Sequence, residues 1–425
     1  AYMASKDARV AEIVARDFRE LLVTYNLKIL AASFLVGGLS GAGVGVLAGT
    51  FLRLRRDRPS FAARLALSAG GVLVIEALAL ASGVIRHPQL YAEALFAQGG
   101  ARAAIQAFLT DRVPPIVPEA LLALLAVAAV VVLAVRLLRG VRLPRVVGFA
   151  ALPVLAAIAT GLVLPVGVPV HTADPARPNI LIVGVDSLRP DAVTERTAPN
   201  LVRLAREGAF LANAVVPLAR TFPSWVSLLT GTTPNVHGVR NMFPRREERD
   251  LPVPALPAIL RDRGWQTAVL SDYAGDIFPR IDLGFDVVDA PRFDFATMIQ
   301  QRLIERQVAL LPFLSNRAGR AAFPVLEELA QNADPAWVVD KFRTFLRNAD
   351  PAAPFFETVF LSVSHFPYSA PYPWYARFAD PAYGGPFKYY KPPLDAGGPP
   401  SPADAAQVRA LYDGSVAAAD DAIAR

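Results

Sequence analysis

The sequence predicts two regions of different fold class: an α-helical transmembrane bundle, and after it an α/β domain with a central, mostly parallel sheet. Hydrophobic residues make up 53% of the 425-residue chain, and the excess lies in long runs within the first 170 residues. The remainder has ordinary globular composition and is long enough for one sizeable core. In that remainder, apolar runs typical of buried strands alternate with helical patterns, as in α/β proteins.

Charge and cysteine content exclude several classes of function. The chain has 43 Lys and Arg against 37 Asp and Glu, a net charge of +6. Much of the arginine flanks the apolar runs, which indicates membrane topology, and no nucleic-acid-binding pattern is present. We therefore expect the lipid bilayer, and no nucleic acid, as a partner. Because there is no cysteine, disulfides, thiolate metal sites and a cysteine nucleophile are excluded.

The membrane domain is predicted at residues 29–170, behind an amphipathic segment at residues 1–28 whose charged and apolar side chains alternate at helical spacing. About four transmembrane helices are expected, since each of four apolar runs is long enough to cross a bilayer. These runs are residues 29–52, 65–85, 120–137 and 147–170.

The flanking arginines predict the orientation of the spans. Arginine clusters lie between the first and second runs and between the third and fourth, and such clusters face the cytoplasm. The chain is then a multi-pass protein of the inner or plasma membrane, with everything after residue 170 on the periplasmic or extracellular side. An even number of spans also puts the N-terminus outside, which is less usual. Two explanations stay open: an upstream span missing from this chain, or an N-terminal segment lying on the outer surface.

A strand ending in a carboxylate opens the second domain. After a polar linker at residues 171–177 comes P-N-I-L-I-V-G-V-D-S-L-R-P-D, residues 178–191. Residues 179–185 are an unbroken apolar run, which predicts a central strand buried on both faces. Asp186 ends that strand, at the position where α/β proteins bind ligands. A solvated strand end is the alternative interpretation of Asp186.

A hydroxyl at a predicted helix start is the second chemical signal. The run R-T-F-P-S-W-V-S-L-L-T-G-T-T-P-N-V-H-G-V-R occupies residues 220–240. Pro223 suits a first helical turn, and residues 224–229 predict a short apolar helix. Thr221 would then lie where unpaired N–H groups and the helix dipole favour an anion, and a metal could activate its hydroxyl. Alternatively, Thr221 is only an N-cap.

These two motifs, in this order and about 35 residues apart, resemble the opening strand and the nucleophile helix of the sulfatases and their relatives in the alkaline phosphatase superfamily. The resemblance implies a sulfatase-like fold for residues 178–425. It also implies that Asp186 binds a divalent metal ion and that Thr221 is both the nucleophile and a metal ligand. Zinc, manganese, magnesium and calcium stay open as the metal.

Departures from the sulfatase pattern are informative. Sulfatases carry Cys or Ser, matured to formylglycine, in C/S-x-P-S-R, whereas this chain reads T-F-P-S-W. A threonine is not expected to mature in that way, and Ser187 stands where a second aspartate is common. Threonine nucleophiles occur in phosphate-handling relatives: lipoteichoic acid synthases, phosphoethanolamine transferases and nucleotide pyrophosphatases.

Four further residues are predicted to contact the substrate. The run V-S-H-F-P, residues 363–367, resembles the segment whose histidine contacts the anionic group, which implies that role for His365. His237, Ser224 and Asn241, on or just after the nucleophile helix, are weaker candidates. Two-zinc pyrophosphatases have an aspartate near V-S-H-F-P that this chain lacks, which favours the single-metal transferase type.

The remaining elements continue the α/β alternation. Strands are predicted at residues 266–271 and 355–363, and a helical insertion or cover at residues 293–332. Helices are predicted at residues 251–263, 335–348 and 407–425. The family's later Asp-His element does not occur before residue 425, so we expect a domain without its C-terminal part that binds metal weakly by itself.

The leading prediction is a membrane-anchored, metal-dependent hydrolase or transferase of a phosphate ester of phosphoethanolamine or phosphoglycerol type. It would act on a lipid- or glycan-linked anionic substrate through a covalent threonine intermediate. The alternatives are a sulfuric ester hydrolase, a nucleotide pyrophosphatase-type phosphodiesterase, and a sulfatase-fold domain that binds a partner without catalysis.

Overall fold

The computed structural model describes residues 16–54, 60–138, 168, 171, 174, 176–292, 294–390 and 400–425. The chain divides into two compact units. One comprises Ala1–Val166 and Phe295–Leu326, and the other comprises Gly167–Asp294 and Glu327–Arg425. Most of the predicted insertion at residues 293–332 therefore belongs to the N-terminal unit and not to the unit that contains the sheet.

The helices are, in chain order, α1 Arg19–Leu54, α2 Phe61–Arg86, α3 Pro88–Tyr91, α4 Gly100–Arg112, α5 Ile116–Leu138, α6 Pro199–Glu207, α7 Thr221–Thr230, α8 Pro234–His237, α9 Leu256–Arg261, α10 Phe295–Glu305, α11 Leu311–Leu314, α12 Arg317–Ala322, α13 Pro335–Asn348, α14 Trp374–Arg377 and α15 Pro402–Ala424. The strands are β1 Ile180–Val185, β2 Gln266–Ser271, β3 Val287–Asp289 and β4 Phe355–Leu361.

Two helices of the first unit are long and apolar enough to cross a membrane: α1 over Arg19–Gly49, and α2 over Phe61–Arg86. Helix α4 and the Ile116–Val132 part of α5 meet at 88°, which is the geometry of either a third, broken span or a re-entrant loop. The predicted run at residues 147–170 lies outside the described residues. Helix α1 includes residues 19–28, so this part of the predicted amphipathic segment joins the first span in one helix, and residues 1–15 of the segment lie outside the described residues.

Small and charged residues set the contacts between these helices. A methyl group on Gly71 of α2 would lie 2.5 Å from Cγ1 of Val44 in α1, so the glycine permits close packing of the two helices. Arg86 near the end of α2 pairs with Glu119 in the first turn of α5, and Ser82 donates to the same carboxylate at 3.2 Å. These contacts tie the described helices into one bundle.

The second unit contains a parallel sheet with the strand order β1-β4-β2-β3. Val185 of β1 lies beside Leu361 of β4, and Ser271 of β2 lies beside Phe360. The carboxyl ends of these three strands are therefore level. All seven residues of β4 are buried, as expected for the middle of the sheet.

The predicted central position of the first strand is wrong for the sheet that the described residues form. Strand β1 lies at its edge, and Leu181 and Val183 are 46% and 38% exposed. An apolar run shows that a strand can be buried, but it does not show how many neighbours the strand pairs with.

Both faces of the sheet carry a hydrophobic core. On one face Phe356 and Phe360 pack with Trp225 and Val226 of α7. On the other, Val359 and Leu361 pack with buried residues of α13 and α15. Alternate β4 side chains thus point to opposite cores, because side chains alternate along a strand. This two-sided cover holds the strand ends that form the candidate site.

Candidate functional site

The site is built where the parallel strands end. Asp186 follows β1, Asp272 follows β2, and the loop that carries His365 leaves β4. The Asp186 N–H donates to the Leu361 carbonyl at 2.9 Å, and the Ser364 hydroxyl donates to the Asp186 carbonyl at 2.7 Å. These bonds fix the backbone of Asp186 beside the loop of His365.

The Asp186 carboxylate has an unsatisfied oxygen. Its Oδ2 atom is buried and has no hydrogen-bond partner in the described part of the chain. Burial raises the pKa of Asp186, while nearby His365 and hydrogen bonds from Ser187 oppose the rise. Ser187 has φ +58°, a conformation that costs energy in a residue other than glycine. A buried, unpartnered carboxylate oxygen fits one ligand position of a divalent cation.

His365 is oriented by a residue that the sequence analysis missed. Its Nδ1 atom lies 3.0 Å from the Tyr273 hydroxyl and 2.8 Å from the Phe366 carbonyl oxygen. The Tyr273 hydroxyl also donates to the Phe366 carbonyl at 2.8 Å. The Nε2 atom is the ring nitrogen left for a ligand. The signal for Tyr273 was its position, one residue after the aspartate that ends a buried strand.

Thr221 is the first residue of α7 and is half-buried. The N-cap residue Arg220 makes no side-chain cap, but the Phe222 N–H donates to the Sδ atom of Met242 at 3.4 Å and Pro223 has no N–H. Of the first-turn backbone groups, the Thr221 N–H is therefore the one closest to a ligand at this helix start. Trp225, one turn later, contacts Phe360 with ring centroids 5.1 Å apart. A methyl group on Gly184 would lie 2.5 Å from the Trp225 ring, so α7 packs closely on β1 two residues before Asp186.

The structure brings Asp186 and His365 together, whereas no hydrogen bond joins Thr221 to either within the described residues. The metal-ligand role of Asp186 and Thr221 and the nucleophile role of Thr221 therefore stay predictions.

His237 is buried in an internal hydrogen-bond network. Its Nδ1 accepts from the Val239 N–H at 3.2 Å, so Nε2 carries the proton and donates to the Ser227 hydroxyl at 2.9 Å. Burial lowers the pKa of His237, which keeps the ring neutral. Both nitrogens are thus engaged in holding the turn after α7.

The other two predicted substrate contacts, Ser224 and Asn241, differ in their exposure to solvent. The Ser224 hydroxyl donates to the Leu218 carbonyl at 3.0 Å and stabilises the entry to α7. Asn241 is exposed. Neither these positions nor that of His237 tests a substrate contact, so the three roles stay predictions.

Asp272 is a second buried carboxylate at this edge. Burial raises its pKa to about 7, the positive charge of Lys341 opposes the rise, and neither carboxylate oxygen has a hydrogen-bond partner among the residues described. Strand β4 separates it from Asp186. In the described ranges, no group of three or more Asp, Glu or His side chains could hold a metal ion. These residues fit one carboxylate ligand, Asp186, but not a complete coordination sphere.

The sulfatase family matches residues 178–425, the whole of the sheet-containing region that begins at the strand motif. The chain belongs to the sulfatase family. Its fold is therefore a set of N-terminal helices, two of them able to span a membrane, followed by a sulfatase-like α/β domain with a parallel sheet. Enzymes of the sulfatase family generally use divalent metal ions and cleave esters.

A solved structure similar to this sulfatase-family chain is the phosphonate monoester hydrolase of Agrobacterium radiobacter. The two share 20% sequence identity over 59% of this chain and 58% of that one, with a TM-score of 0.40. The chain thus spans just over half the length of that hydrolase. No curated protein matches the chain significantly.

Proposed function

We propose that this chain is the membrane-anchored part of an enzyme that cleaves or transfers a phosphate ester, with Thr221 as the nucleophile. The observation that carries the proposal is the position of Thr221 as the first residue of α7, a helix whose N-cap residue makes no side-chain cap and which packs against β1 and β4. A helix start of this kind favours an anionic phosphoryl group. The apolar helices α1 and α2 support a membrane anchor.

The reaction would proceed by displacement at phosphorus. The Thr221 oxygen forms a bond to phosphorus while the bond from phosphorus to the ester oxygen breaks. The hydroxyl loses its proton and the departing alcohol gains one. Water, or an acceptor alcohol in a transferase, then attacks phosphorus and restores the threonine.

His365 would hold the substrate during this step. When both ring nitrogens carry a proton, Nδ1 donates to the Phe366 carbonyl at 2.8 Å and Nε2 can donate to a phosphoryl oxygen. That bond becomes stronger as negative charge builds on the oxygen, so it favours the transition state.

A divalent metal would be held by Asp186, with the Thr221 hydroxyl as a second ligand. When bound, it would lower the pKa of that hydroxyl and offset charge on the phosphoryl oxygens. The unpartnered Oδ2 of Asp186 supports this assignment.

The threonine at residue 221 favours a phosphate ester over a sulfate ester as the substrate. The formylglycine of sulfatases forms from Cys or Ser, and T-F-P-S-W offers neither at residue 221. A sulfuric ester hydrolase is the second candidate, and membership of the sulfatase family favours it.

The nucleophile is tested with the full-length protein supplied with Mn²⁺ or Zn²⁺. Turnover of bis(4-nitrophenyl) phosphate should exceed that of 4-nitrophenyl sulfate. Thr221→Ala should lower it by at least about 100-fold, while Thr221→Ser retains part of it. Acid-quenched samples should contain phosphothreonine at residue 221 by mass spectrometry.

Thr230→Ala is the matched control, because the Thr230 hydroxyl lies on the same helix and donates to the Val226 carbonyl at 2.7 Å. It should keep wild-type turnover. Wild-type rates with Thr221→Ala would refute the nucleophile, and faster sulfate than phosphate hydrolysis would favour the second candidate.

The metal ligand has a test that does not use turnover. Calorimetric titration of the full-length protein with Mn²⁺ should show binding that Asp186→Asn weakens by about tenfold or more. Asp262→Asn, which changes a carboxylate that is 72% exposed, should bind like wild type. Equal affinity of Asp186→Asn and wild type would remove Asp186 from the metal site.

A further inference from the structure

A cavity of about 540 Å³ opens beside the candidate site. Its walls come from the turn that follows Asp186, from the loop that follows His365, and from α15. Ser187 and Arg189 line it on the first side, and Tyr368 on the second. The cavity thus begins one residue after the predicted metal ligand and three residues after the predicted substrate ligand.

The two residues other than glycine that have positive φ in the described chain both line this cavity. They are Ser187, with φ +58°, and Tyr368, with φ +61°. Such conformations are energetically unfavourable and cluster at binding sites, where surrounding contacts hold them. Tyr412 of α15 supplies such a contact: its hydroxyl donates to the Ser187 carbonyl and accepts from the Arg189 N–H, both at 2.9 Å. The wall beside Asp186 is therefore held in shape by α15.

The walls combine apolar surface with cationic groups. Leu188, Pro190 and Val408 join the rings of Tyr368 and Tyr412 as apolar or aromatic lining. Two arginines, Arg189 and Arg409, complete it. Such a lining suits a group with an apolar or aromatic body and an anionic substituent.

The two arginines differ in how fully they are paired. Arg189 makes a bidentate bond to Asp191, at 2.8 and 2.9 Å. Arg409 lies 3.5 Å from Asp191 and 3.8 Å from Asp413, and it makes no hydrogen bond to any described residue. The Arg409 guanidinium is therefore held only by two long ion pairs, and its side chain is 56% exposed and accessible to a ligand.

The arginines of this wall belong to an ion-pair cluster. Arg196 also pairs with Asp413, so three arginines face two aspartates in this cluster. An anionic substituent would be attracted here, and the planar fork of Arg409 matches a carboxylate or phosphate.

We propose that this cavity is the leaving-group subsite, and that it selects esters whose alcohol has an apolar or aromatic body and carries an anionic group. The inference rests on the proposed function, since the alcohol held here is the one released when Thr221 displaces it from phosphorus. Arg409 is the specificity residue, and the Tyr368 and Tyr412 rings hold the body of the alcohol.

Binding of the released alcohol tests the subsite without turnover. Calorimetry on the full-length protein should show that 5-hydroxy-2-nitrobenzoate binds about tenfold more tightly than 4-nitrophenol, at a pH where both phenols keep their proton. Arg409→Gln should remove this preference. Arg203→Gln should retain it, because Arg203 is an exposed arginine of α6 that pairs with Glu207 and does not line the cavity.

Steady-state kinetics provide a second test of the subsite. Methyl 3-carboxy-4-nitrophenyl phosphate should have about tenfold higher kcat/KM than methyl 4-nitrophenyl phosphate, and Arg409→Gln should abolish the difference through KM. Equal binding of the two phenols, or a preference unchanged in Arg409→Gln, would overturn the subsite. Retained activity in Thr221→Ala would instead overturn the proposed function, while the binding preference would still report on the cavity.

Discussion

The Tyr273 hydroxyl lies 3.0 Å from Nδ1 of His365 and joins the loop after β2 to the loop after β4. The same hydroxyl donates to the Phe366 carbonyl at 2.8 Å, so it holds both the ring and the backbone beside it. Burial, and the charges of Asp272 and Asp186, raise the pKa of Tyr273 well above its ordinary value. The side chain therefore stays a neutral hydroxyl that orients His365.

Tyr273→Phe should lower kcat on a phosphodiester by about tenfold, because the His365 ring loses its orienting partner. The stability cost should be only about 1 kcal/mol, the net value of a neutral hydrogen bond. Tyr383→Phe is the control: it removes a 2.5 Å bond to Asp404 at the start of α15, which should lower the Tm and leave kcat unchanged. Equal loss of kcat in both variants would assign Tyr273 a purely structural role.

Gly184→Ala should disturb the packing of α7 on β1. Its methyl group would lie 2.5 Å from Cζ2 of Trp225 and 3.1 Å from the Phe360 ring, so Trp225 must move. We expect a loss of about 1–3 kcal/mol in the free energy of unfolding and a larger proportional loss of turnover, since Thr221 is one turn from Trp225.

Two variants make that result specific. Trp225→Phe shortens the ring, so the double variant Gly184→Ala/Trp225→Phe should regain part of the lost turnover. Gly384→Ala meets no atom within 4 Å and should behave like wild type. An active Gly184→Ala enzyme with unchanged Tm would show that the packing of α7 on β1 does not position Thr221.

Glu357 should make the protein less stable as the pH rises. It lies in the middle of β4 with both carboxylate oxygens buried and without a hydrogen-bond partner among the described residues. Burial, with a contribution from Asp289, raises its pKa to about 9. In an unfolded chain the value is about 4.3. Between these two values the folded protein holds a proton that the unfolded chain has released, so rising pH favours unfolding by up to about 1.4 kcal/mol per pH unit.

Glu357→Gln removes the contribution of this side chain to the pH dependence of stability. The variant should have a higher Tm than wild type at alkaline pH, and the difference should shrink as the pH falls toward the unfolded-state pKa. Thermal unfolding across this range measures the effect, with the exposed Glu207→Gln as control. A difference in Tm that does not change with pH would show that Glu357 is ionised in the folded protein.

The absence of cysteine permits a direct test of topology. A membrane-impermeant maleimide should label Glu207→Cys in the sulfatase-like domain from outside intact cells or spheroplasts. Arg64→Cys, in the first turn of α2 beside the arginine-rich connection, should be labelled only after permeabilisation. The reverse pattern would place the domain in the cytoplasm.

Several elements were predictable because their signals are local. The predicted strand at residues 266–271 and helix at residues 335–348 match β2 and α13 residue for residue. At the start of α13, the Asp334 side chain accepts from the Ala336 N–H, and Pro335 is the first helical residue. The residues that start this helix therefore lie next to each other in the sequence. The three-residue strand β3 was not predicted, because so short a run has no measurable periodicity.

The candidate site was only partly predictable. Asp186, Thr221 and His365 could be proposed from the sequence because each stands at a strand end or a helix start within a recognisable motif, and their roles stay predictions. Tyr273 was missed because its role depends on His365, which is 92 residues away in the chain. The cavity was missed for the same reason, since α15 meets the turn at Ser187 only in the folded chain.

By itself, the sequence determined the family, the parallel α/β class, the apolar N-terminal helices, and the residues that end β1 and open α7. Local hydrophobic patterns, turn residues and short motifs carry that information. Only the tertiary structure decided that β1 is an edge strand of the described sheet, that Tyr273 orients His365, and that Arg409 lines the same cavity as Ser187. Strand pairing and the convergence of side chains are contacts between distant residues, and no local pattern specifies them.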